Sequence, residues 1–250
     1  WADILKKHSP EGTSWRVAMA QSEQHFPVEG RCRRAKRRLN ILYYSPCPTY
    51  PANHGNRTRI DNLIKKFEEM GHKVHFVMLG SFIPNKTALS AMRNRYSTLD
   101  VLPYKKLGVS LGSVPYDGWY RKGIGEYIYF LCKHYDIDLV LCSYVYQSKL
   151  LEFVPNYILK IIDTHDKMGN RSQMLRQNQL SVSQFSCTED EEGAYLRRAD
   201  VVLGITDEET KYFEIVSGRK AMTISHVEKP RFLKKDFASL KHIGVVASNN

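Results

Sequence analysis

Residues 40 to 79 read NILYYSPCPTYPANHGNRTRIDNLIKKFEEMGHKVHFVML, and this stretch decides the fold class. The short apolar run from Ile41 to Tyr44 is typical of a buried parallel strand. A proline-rich loop follows, and then apolar residues recur on one face of a predicted helix, at Ile60, Leu63, Ile64, Phe67 and Met70. Gly71 ends this helix, and Val74 to Leu79 is apolar again. The stretch is therefore a strand–helix–strand unit, in which ligands bind beside the carboxyl ends of the strands.

The same alternation continues along most of the chain. Strands are predicted near 40–45, 73–79, 99–103, 138–143, 158–163, 200–205 and 221–225. Helices are predicted near 57–70, 86–95, 118–135, 146–152, 174–197 and 207–216. Such alternation predicts an α/β, Rossmann-like fold, with a mostly parallel sheet of about seven strands and helices on both faces.

The pattern divides the chain into three segments. Residues 1–39 are polar and basic, and we interpret them as an N-terminal extension or linker. Residues 40–227 form the Rossmann-like domain. Residues 228–250 are interpreted as a linker followed by the first strand of a second domain, because the apolar run HIGVVA follows a polar, basic stretch. Since the chain begins with Trp1, we expect it to be a piece of a longer protein.

The chain is strongly basic, with a formal charge of +11 and a pI near 9.4, which favours anionic partners. The densest basic run is RCRRAKRR, residues 31–38. It is interpreted either as a solvated lead-in to the first strand, as a contact to an anionic membrane surface, or as a contact to nucleic acid. Aromatic residues do not alternate with these cations as a single-strand binding groove requires, so nucleic acid is not the expected partner.

Cysteine usage and hydropathy indicate the cellular compartment in which the protein is expected. The five cysteines are scattered and form no CxxC pair, which indicates a reducing compartment and no zinc site. No apolar stretch reaches the roughly 18 residues that a membrane span needs. We therefore expect a cytoplasmic protein, with peripheral contact to the inner membrane face as one option.

The loop after the first strand is the first candidate site. His54, Gly55, Asn56, Arg57 and Arg59 bring polar and cationic groups to the start of a helix, where backbone N–H groups favour anions. The single glycine matches neither a P-loop nor a dinucleotide fingerprint. An ordinary strand-to-helix turn remains the alternative.

The segment IIDTHD, residues 161–166, is the second candidate, because an apolar strand runs directly into Asp163, His165 and Asp166. Arg171 follows a few residues later. His165 is suited to a hydrogen bond with a sugar hydroxyl or to proton transfer, or else it holds the loop. A metal site is not expected, because close neighbours on an extended loop seldom converge on one ion.

Two further groups of residues come with structural alternatives. Tyr144 and Tyr146 follow a predicted strand and suit a sugar platform, or they pack on the next helix. The acidic run Glu189 to Glu192 is placed early on a long predicted helix that ends in arginines, an arrangement that suits the helix dipole. Asp207 to Glu209 form the acidic first turn of another predicted helix, and a structural role is expected for both runs. No nucleophile elbow, HExxH motif or isolated carboxylate pair is present.

Taken in order, these segments resemble the N-terminal domain of GT-B glycosyltransferases, in the large retaining group that uses nucleotide sugars. The resemblance covers about residues 40 to 250. Its segments are ILYYSPCPTYPANHGNRTR, GHKVHFV, DIDLVLCSYVYQ, IIDTHDKMGNR, EEGAYLRRADVVLGITDEE and HIGVVASNN. Their order and spacing carry the resemblance.

The resemblance implies a two-domain transferase with the active site in the cleft and with no cofactor or catalytic metal. The N-terminal domain would bind a glycan or lipid-linked acceptor, and the C-terminal domain would bind the nucleotide sugar. Gly55 and its neighbours would lie near the donor phosphates or sugar, although the family has two glycines there. His165 would contact the transferred sugar, and Asp166 would orient the loop or the acceptor.

Arg57, Arg59 and Arg171 are the candidate cations for the departing nucleotide diphosphate. Two other functions stay open. One is a noncatalytic module that docks a partner through its basic surface. The other is a sugar-nucleotide epimerase with the same two-domain plan, which would require strong acid–base pairs in this half of the protein.

Overall fold

A computed structural model describes residues 38–80, 83–103, 115–120, 122–181 and 185–226. The predicted N-terminal extension lies outside these residues apart from its last two positions. The predicted linker and second-domain strand over 228–250 also lie outside them.

The strands of the described residues form one seven-stranded sheet. They are β1 (Asn40–Ser45), β2 (Lys73–Gly80), β3 (Thr98–Pro103), β4 (Leu139–Ser143), β5 (Leu159–Asp163), β6 (Val201–Gly204) and β7 (Lys220–Thr223). Their order across the sheet is β3-β2-β1-β4-β5-β6-β7, and each neighbouring pair is parallel. The predicted Rossmann-like, mostly parallel sheet is therefore confirmed.

The connections are mostly helical. The α-helices are α1 (Gly55–Glu69), α2 (Lys86–Arg93), α3 (Lys122–His134), α4 (Arg171–Gln177), α5 (Glu189–Leu196) and α6 (Asp207–Ser217). Two 3-10 helices cover Tyr116–Trp119 and Val145–Phe153, so the helix predicted over 146–152 has the tighter 3-10 form. The helix predicted over 118–135 is interrupted, because Tyr120 has an extended backbone with φ −109° and ψ 131°.

Both faces of the sheet are covered, as the alternation within β1 shows. Ile41 and Tyr43 point into an apolar cluster shared with α1 and α2, whereas Leu42 and Tyr44 point into a second cluster shared with α3, α5 and α6. All four side chains are fully buried. Burial of each large apolar side chain stabilises the fold by about 1.5–3 kcal/mol, and β1 contributes such side chains to the clusters on both faces of the sheet.

The single helix predicted over 174–197 is wrong, because the structure has two short helices there, α4 and α5. Gln179 adopts a left-handed conformation with φ +57° just beyond α4. α5 starts afresh at Thr188, whose side chain accepts a hydrogen bond from the Glu191 N–H while the Glu191 side chain returns to the Thr188 N–H. The sequence signal for this start was the pattern Thr-x-x-Glu at residues 188–191.

We expect Thr188→Ala to lower the free energy of unfolding by about 1 kcal/mol, because it removes an N-cap acceptor. Urea denaturation measures this loss. Thr188→Ser keeps the hydroxyl and is the matched control, which should stay close to the wild type. Equal stabilities for the alanine and serine variants would show that the cap contributes nothing.

The order of the strands fixes where a ligand is expected. The chain runs outward from β1 through β2 to β3 and then returns to place β4 on the other side of β1. The crevice between β1 and β4, at their carboxyl ends, is the topological switch point where open α/β sheets bind ligands. Within the described residues, no helix is both long and apolar enough to cross a membrane.

Candidate functional site

The candidate site is built from the residues that end β4 and β5. Ser143 and Asp163 are the last residues of these strands and lie opposite each other in the ladder. Tyr144, the residue after Ser143, has a positive φ of +68°. His165, two residues after Asp163, has a positive φ of +62°. These sparsely populated conformations turn the chain sharply and hold both side chains next to the switch point.

A buried ion pair lies beneath the site. Arg59 of α1 donates from Nε and Nη2 to the carboxylate of Asp163, with distances of 2.7–3.1 Å. Its Nη1 donates to the carbonyl oxygens of Ile224 (2.6 Å) and Ser225 (3.3 Å). Both charged side chains are essentially inaccessible to solvent. Arg59 therefore ties α1, β5 and the segment after β7 together, and its charge is balanced by Asp163.

His165 lies directly above this pair. Its Nε2 is 3.3 Å from Asp163 Oδ2 and 3.2 Å from Ser143 Oγ. Because an ionised carboxylate only accepts hydrogen bonds, Asp163 favours the tautomer with the proton on Nε2. Nδ1 then carries the lone pair. Burial lowers the pKa of His165, although Asp163 opposes this effect and Arg59 and His226 add to it, so the imidazole is neutral at pH 7.

The contacts of His165 exclude a serine-hydrolase arrangement. In such a triad the serine and the carboxylate bind different ring nitrogens. Here Ser143 and Asp163 both approach Nε2. Ser143 Oγ is fully buried and also lies 3.1 Å from Tyr43 Oη. Ser143 therefore belongs to a buried polar network and is not an activated nucleophile.

Three rings are stacked beside the site. The His165 ring lies on the Tyr144 ring with centroids 4.3 Å apart and planes at 16°, and Tyr144 stacks on Tyr146 at 5.1 Å. Tyr144 and Tyr146 are only 8% and 6% exposed. Tyr146 is enclosed by Trp119 and Phe185, which leaves little of its face for a ligand and makes it a support for Tyr144.

Asn56 connects the first loop to this stack. Its Nδ2 donates to Tyr144 Oη (3.1 Å) and to Cys47 Sγ (3.2 Å), and its Oδ1 accepts from the Arg57 N–H. His54 is the N-cap residue of α1 and makes no side-chain cap bond. Arg57 is half-buried and donates to Asn53 Oδ1. His54 and Arg57 thus form one rim of the site, with Asn56 beneath them.

The opposite rim is the His165 loop, which we define as residues 164–170. The Asp166 carboxylate is half-exposed and lies 3.8 Å from Nη1 of Arg171, the first residue of α4. Lys167 Nζ binds Glu189 at 3.2 Å and lies over the Tyr212 ring. The structure therefore pairs Asp166 with Arg171 at the edge of the site.

Two residues of this network were absent from the candidates proposed from sequence. Ser143 ends the apolar run LVLC, and its position at a strand's carboxyl end was the available signal. Tyr43 lies inside a fully apolar run and carried no signal, since its hydroxyl meets Ser143 only through strand pairing. In the described part of the chain, no cluster of three His, Cys, Asp or Glu side chains is arranged to hold a metal ion.

We expect Gly55→Ala to keep or raise stability by about 0.5–1 kcal/mol. A Cβ built at Gly55 meets no atom within 4 Å, so nothing in the described chain requires glycine there. Gly169→Ala is the contrasting variant, because its Cβ would lie 2.3 Å from Tyr212 Oη and 2.6 Å from Glu192 Oε2. That variant should lose about 1–3 kcal/mol in urea denaturation. Equal stabilities for the two variants would contradict this account.

The lowered pKa of His165 predicts a pH dependence of stability. The unfolded chain binds the proton near the ordinary value of 6.5, whereas the folded chain binds it only at lower pH. The resulting stabilisation is fully present above pH 6.5 and is lost as the pH falls below it. His75, with its pKa lowered to about 4 by burial, adds an effect of the same sign. In urea denaturation between about pH 7.5 and 5.5, His165→Asn should show a shallower fall than the wild type, and parallel curves would contradict the prediction.

The comparisons with known proteins fall into two groups. No protein-family model matches the sequence, and no curated protein matches it. Solved structures do resemble it, and glycosyltransferases are among them. Sucrose-phosphate synthase from Thermosynechococcus elongatus matches 75% of this chain and 48% of its own, at 15% identity and a TM-score of 0.46.

Two further structures resemble the chain to a similar degree. A Glycyrrhiza uralensis UGT complexed with glycyrrhetinic acid 3-O-monoglucuronide covers 75% of this chain and 48% of its own, at 11% identity and a TM-score of 0.42. An alpha-glucosyltransferase in complex with UDP and a 13-mer DNA covers 75% and 42%, at 12% identity and a TM-score of 0.41. This chain spans about half the length of each of these structures or less. With TM-scores below 0.5, these likenesses carry no weight for the function.

Proposed function

We propose that this chain is the acceptor-side domain of a glycosyltransferase that moves a sugar from a nucleotide sugar to a glycan or lipid-linked acceptor. The observation that carries the proposal is the neutral imidazole of His165 at the switch point, with Nε2 committed to Asp163 and Ser143. The His165 side chain is only 3% exposed. With Nε2 committed, Nδ1 is the ring atom left to accept a hydrogen bond from a sugar hydroxyl. Sugars present such hydroxyls in abundance.

The polar groups around His165 fit a sugar as well. The Asp166 carboxylate is half-exposed at the rim and accepts hydrogen bonds. On the other side of the site, the Asn56 amide already donates to Tyr144 and Cys47, and its Oδ1 keeps one acceptor site beyond the Arg57 N–H. Together they would bracket a polyhydroxylated ring and fix its orientation. Ser143 is sequestered, so the described residues offer no activated serine at this position, and the chemistry proposed is transfer without a covalent serine intermediate.

In the proposed reaction, the departing nucleotide diphosphate gains negative charge, which positioned cations and dipoles stabilise. Arg57 lies in the first turn of α1, which begins at Gly55, and Arg171 is the first residue of α4. Arg59 is assigned a different task, because Asp163 already balances its charge. Arg57 and Arg171 are therefore the cations proposed to face the diphosphate, and no cofactor or metal is invoked.

The finer parts of the proposal rest on the sequence resemblance alone. They are a retaining outcome, hexosyl transfer and a second domain that holds the nucleotide. A cytoplasmic location with contact to an anionic membrane surface is proposed from the cysteine usage and the basic charge of the chain. Such a second domain would complete the cleft. The present chain alone is therefore expected to bind ligand weakly and not to catalyse sugar transfer.

Saturation-transfer NMR with UDP-glucose as the probe tests the proposal. We expect saturation of the glucose protons by the wild-type chain and a weaker effect with His165→Asn. His134→Asn, an exposed position at the end of α3, is the control and should behave as the wild type. If no saturation reaches the protons of any UDP-sugar, and if the chain binds nucleic acid with an affinity that falls steeply with salt, a noncatalytic basic module is favoured instead.

A further inference from the structure

A buried carboxylate on α5 contacts the His165 loop from the side facing the protein interior. Glu192 is fully buried. Its Oε1 accepts a hydrogen bond from the Met168 N–H at 2.8 Å, and its Oε2 accepts one from the Gly169 N–H at 2.8 Å. Tyr212 Oη donates to the same Oε2 at 2.9 Å. One side chain thus pairs two consecutive backbone groups of the loop, and a charged acceptor makes each of these bonds strong.

The loop approaches Glu192 so closely that a side chain at residue 169 would displace the Glu192 carboxylate or the Tyr212 hydroxyl. A Cβ there would lie 2.6 Å from Glu192 Oε2. The chain just before α5 adds two more bonds, since the Asn170 N–H donates to the Cys187 carbonyl at 2.7 Å and the Cys187 N–H donates to the Met168 carbonyl at 3.2 Å. The carboxyl-side half of the loop is therefore fixed to α5 and its lead-in.

We propose that Glu192 is a positioning residue, which holds the His165 loop so that the imidazole stays over Asp163 and Ser143. The identity of the ligand rests on the proposed function, whereas the positioning of the loop does not. A carboxylate has two acceptor oxygens and gives each N–H its own partner. An amide of nearly the same size has one acceptor, and its NH₂ group would face the second N–H. The acidic run at the start of α5 therefore does more than favour the helix dipole.

Glu192→Gln tests this role, with two readouts that do not need a ligand. Amide hydrogen exchange of Met168 and Gly169 should become faster by on the order of tenfold, relative to amides of β2 in the same sample. The pKa of His165, followed by NMR, should rise toward 6.5 because a loosened loop admits water to the ring. Glu191→Gln is the matched control, since glutamine also serves in a capping box. It should leave both readouts unchanged.

Each outcome decides the inference. If Glu192→Gln folds and leaves the loop amides and the pKa of His165 as in the wild type, Glu192 does not position the loop. If the loop and β2 amides accelerate equally, its role is general stability, and the inference is again overturned. If Glu192→Gln does not fold, Tyr212→Phe is the second test, because it removes only the hydroxyl that donates to Glu192. The inference then requires a smaller increase in the hydrogen-exchange rate of the Gly169 amide. A positioned loop in a wild type that binds neither a UDP-sugar nor a glycan acceptor would overturn the proposed function and leave this inference standing.

Discussion

Arg59→Met is expected to lower the free energy of unfolding by about 3–5 kcal/mol, because it leaves the Asp163 carboxylate buried without a counter-charge. Asp163 is fully buried, and the neighbouring His165, 3.3 Å away, is neutral at pH 7. The variant also removes the donors to the Ile224 and Ser225 carbonyls. Urea denaturation at pH 7 measures the loss.

Arg57→Met is the matched control for this prediction, since it makes the same change two residues away on α1. Arg57 is half-buried and contacts Asn53, so its replacement should cost less than about 1 kcal/mol. The double variant Arg59→Met with Asp163→Asn should recover much of the lost stability, because no charge then remains buried. An Arg59→Met variant as stable as Arg57→Met would show that the buried pair does not hold α1 to β5.

His165→Asn is expected to weaken UDP-glucose binding on the order of tenfold or more, because it removes the ring nitrogen that accepts a sugar hydroxyl. Asparagine is the appropriate replacement, since it tolerates the left-handed conformation with φ +62° better than other residues except glycine. The variant loses the stacking on Tyr144, which should cost about 1 kcal/mol of stability.

Titration of wild type and variant with UDP-glucose measures the loss of affinity, and denaturation of both separates it from unfolding. Unchanged affinity in a folded His165→Asn variant would mean that His165 serves only to hold its loop.

The sheet could be predicted because its strands are short apolar runs that end in glycine, proline or polar residues. The run Ile41 to Tyr44 is buried on both faces, so it reads as continuous apolar sequence, and the strand bounds agree with the structure within about two residues. The break between α4 and α5 was missed, because helical periodicity outweighed the Thr188 capping box and because a left-handed Gln179 has no strong sequence signal.

The sequence predicted where in the fold the site lies, but it predicted only some of the contacts between its side chains. Polar residues after β5 pointed to the switch point, since parallel strands end at one edge. Which charge faces which partner depends on pairing across more than a hundred residues, as between Arg59 and Asp163. For that reason Arg59 appeared as a candidate for phosphate contact, whereas its guanidinium is committed to Asp163 and two backbone carbonyls. Glu192 was missed for a related reason, because its partners Met168 and Gly169 lie 23–24 residues earlier in the chain.

Amide chemical-shift mapping of the full chain with UDP-glucose tests the central claim most directly, because it reports where a ligand binds. The account predicts shifts at the carboxyl ends of β1, β4 and β5, with the largest changes at Asn56, Tyr144, His165 and Asp166. The amide signals of residues at the amino ends of the strands, such as Lys73 and Lys220, should not shift. Shifts confined to that opposite end of the strands, or no shifts with either UDP-glucose or a glycan acceptor, would contradict a sugar-binding site at the switch point.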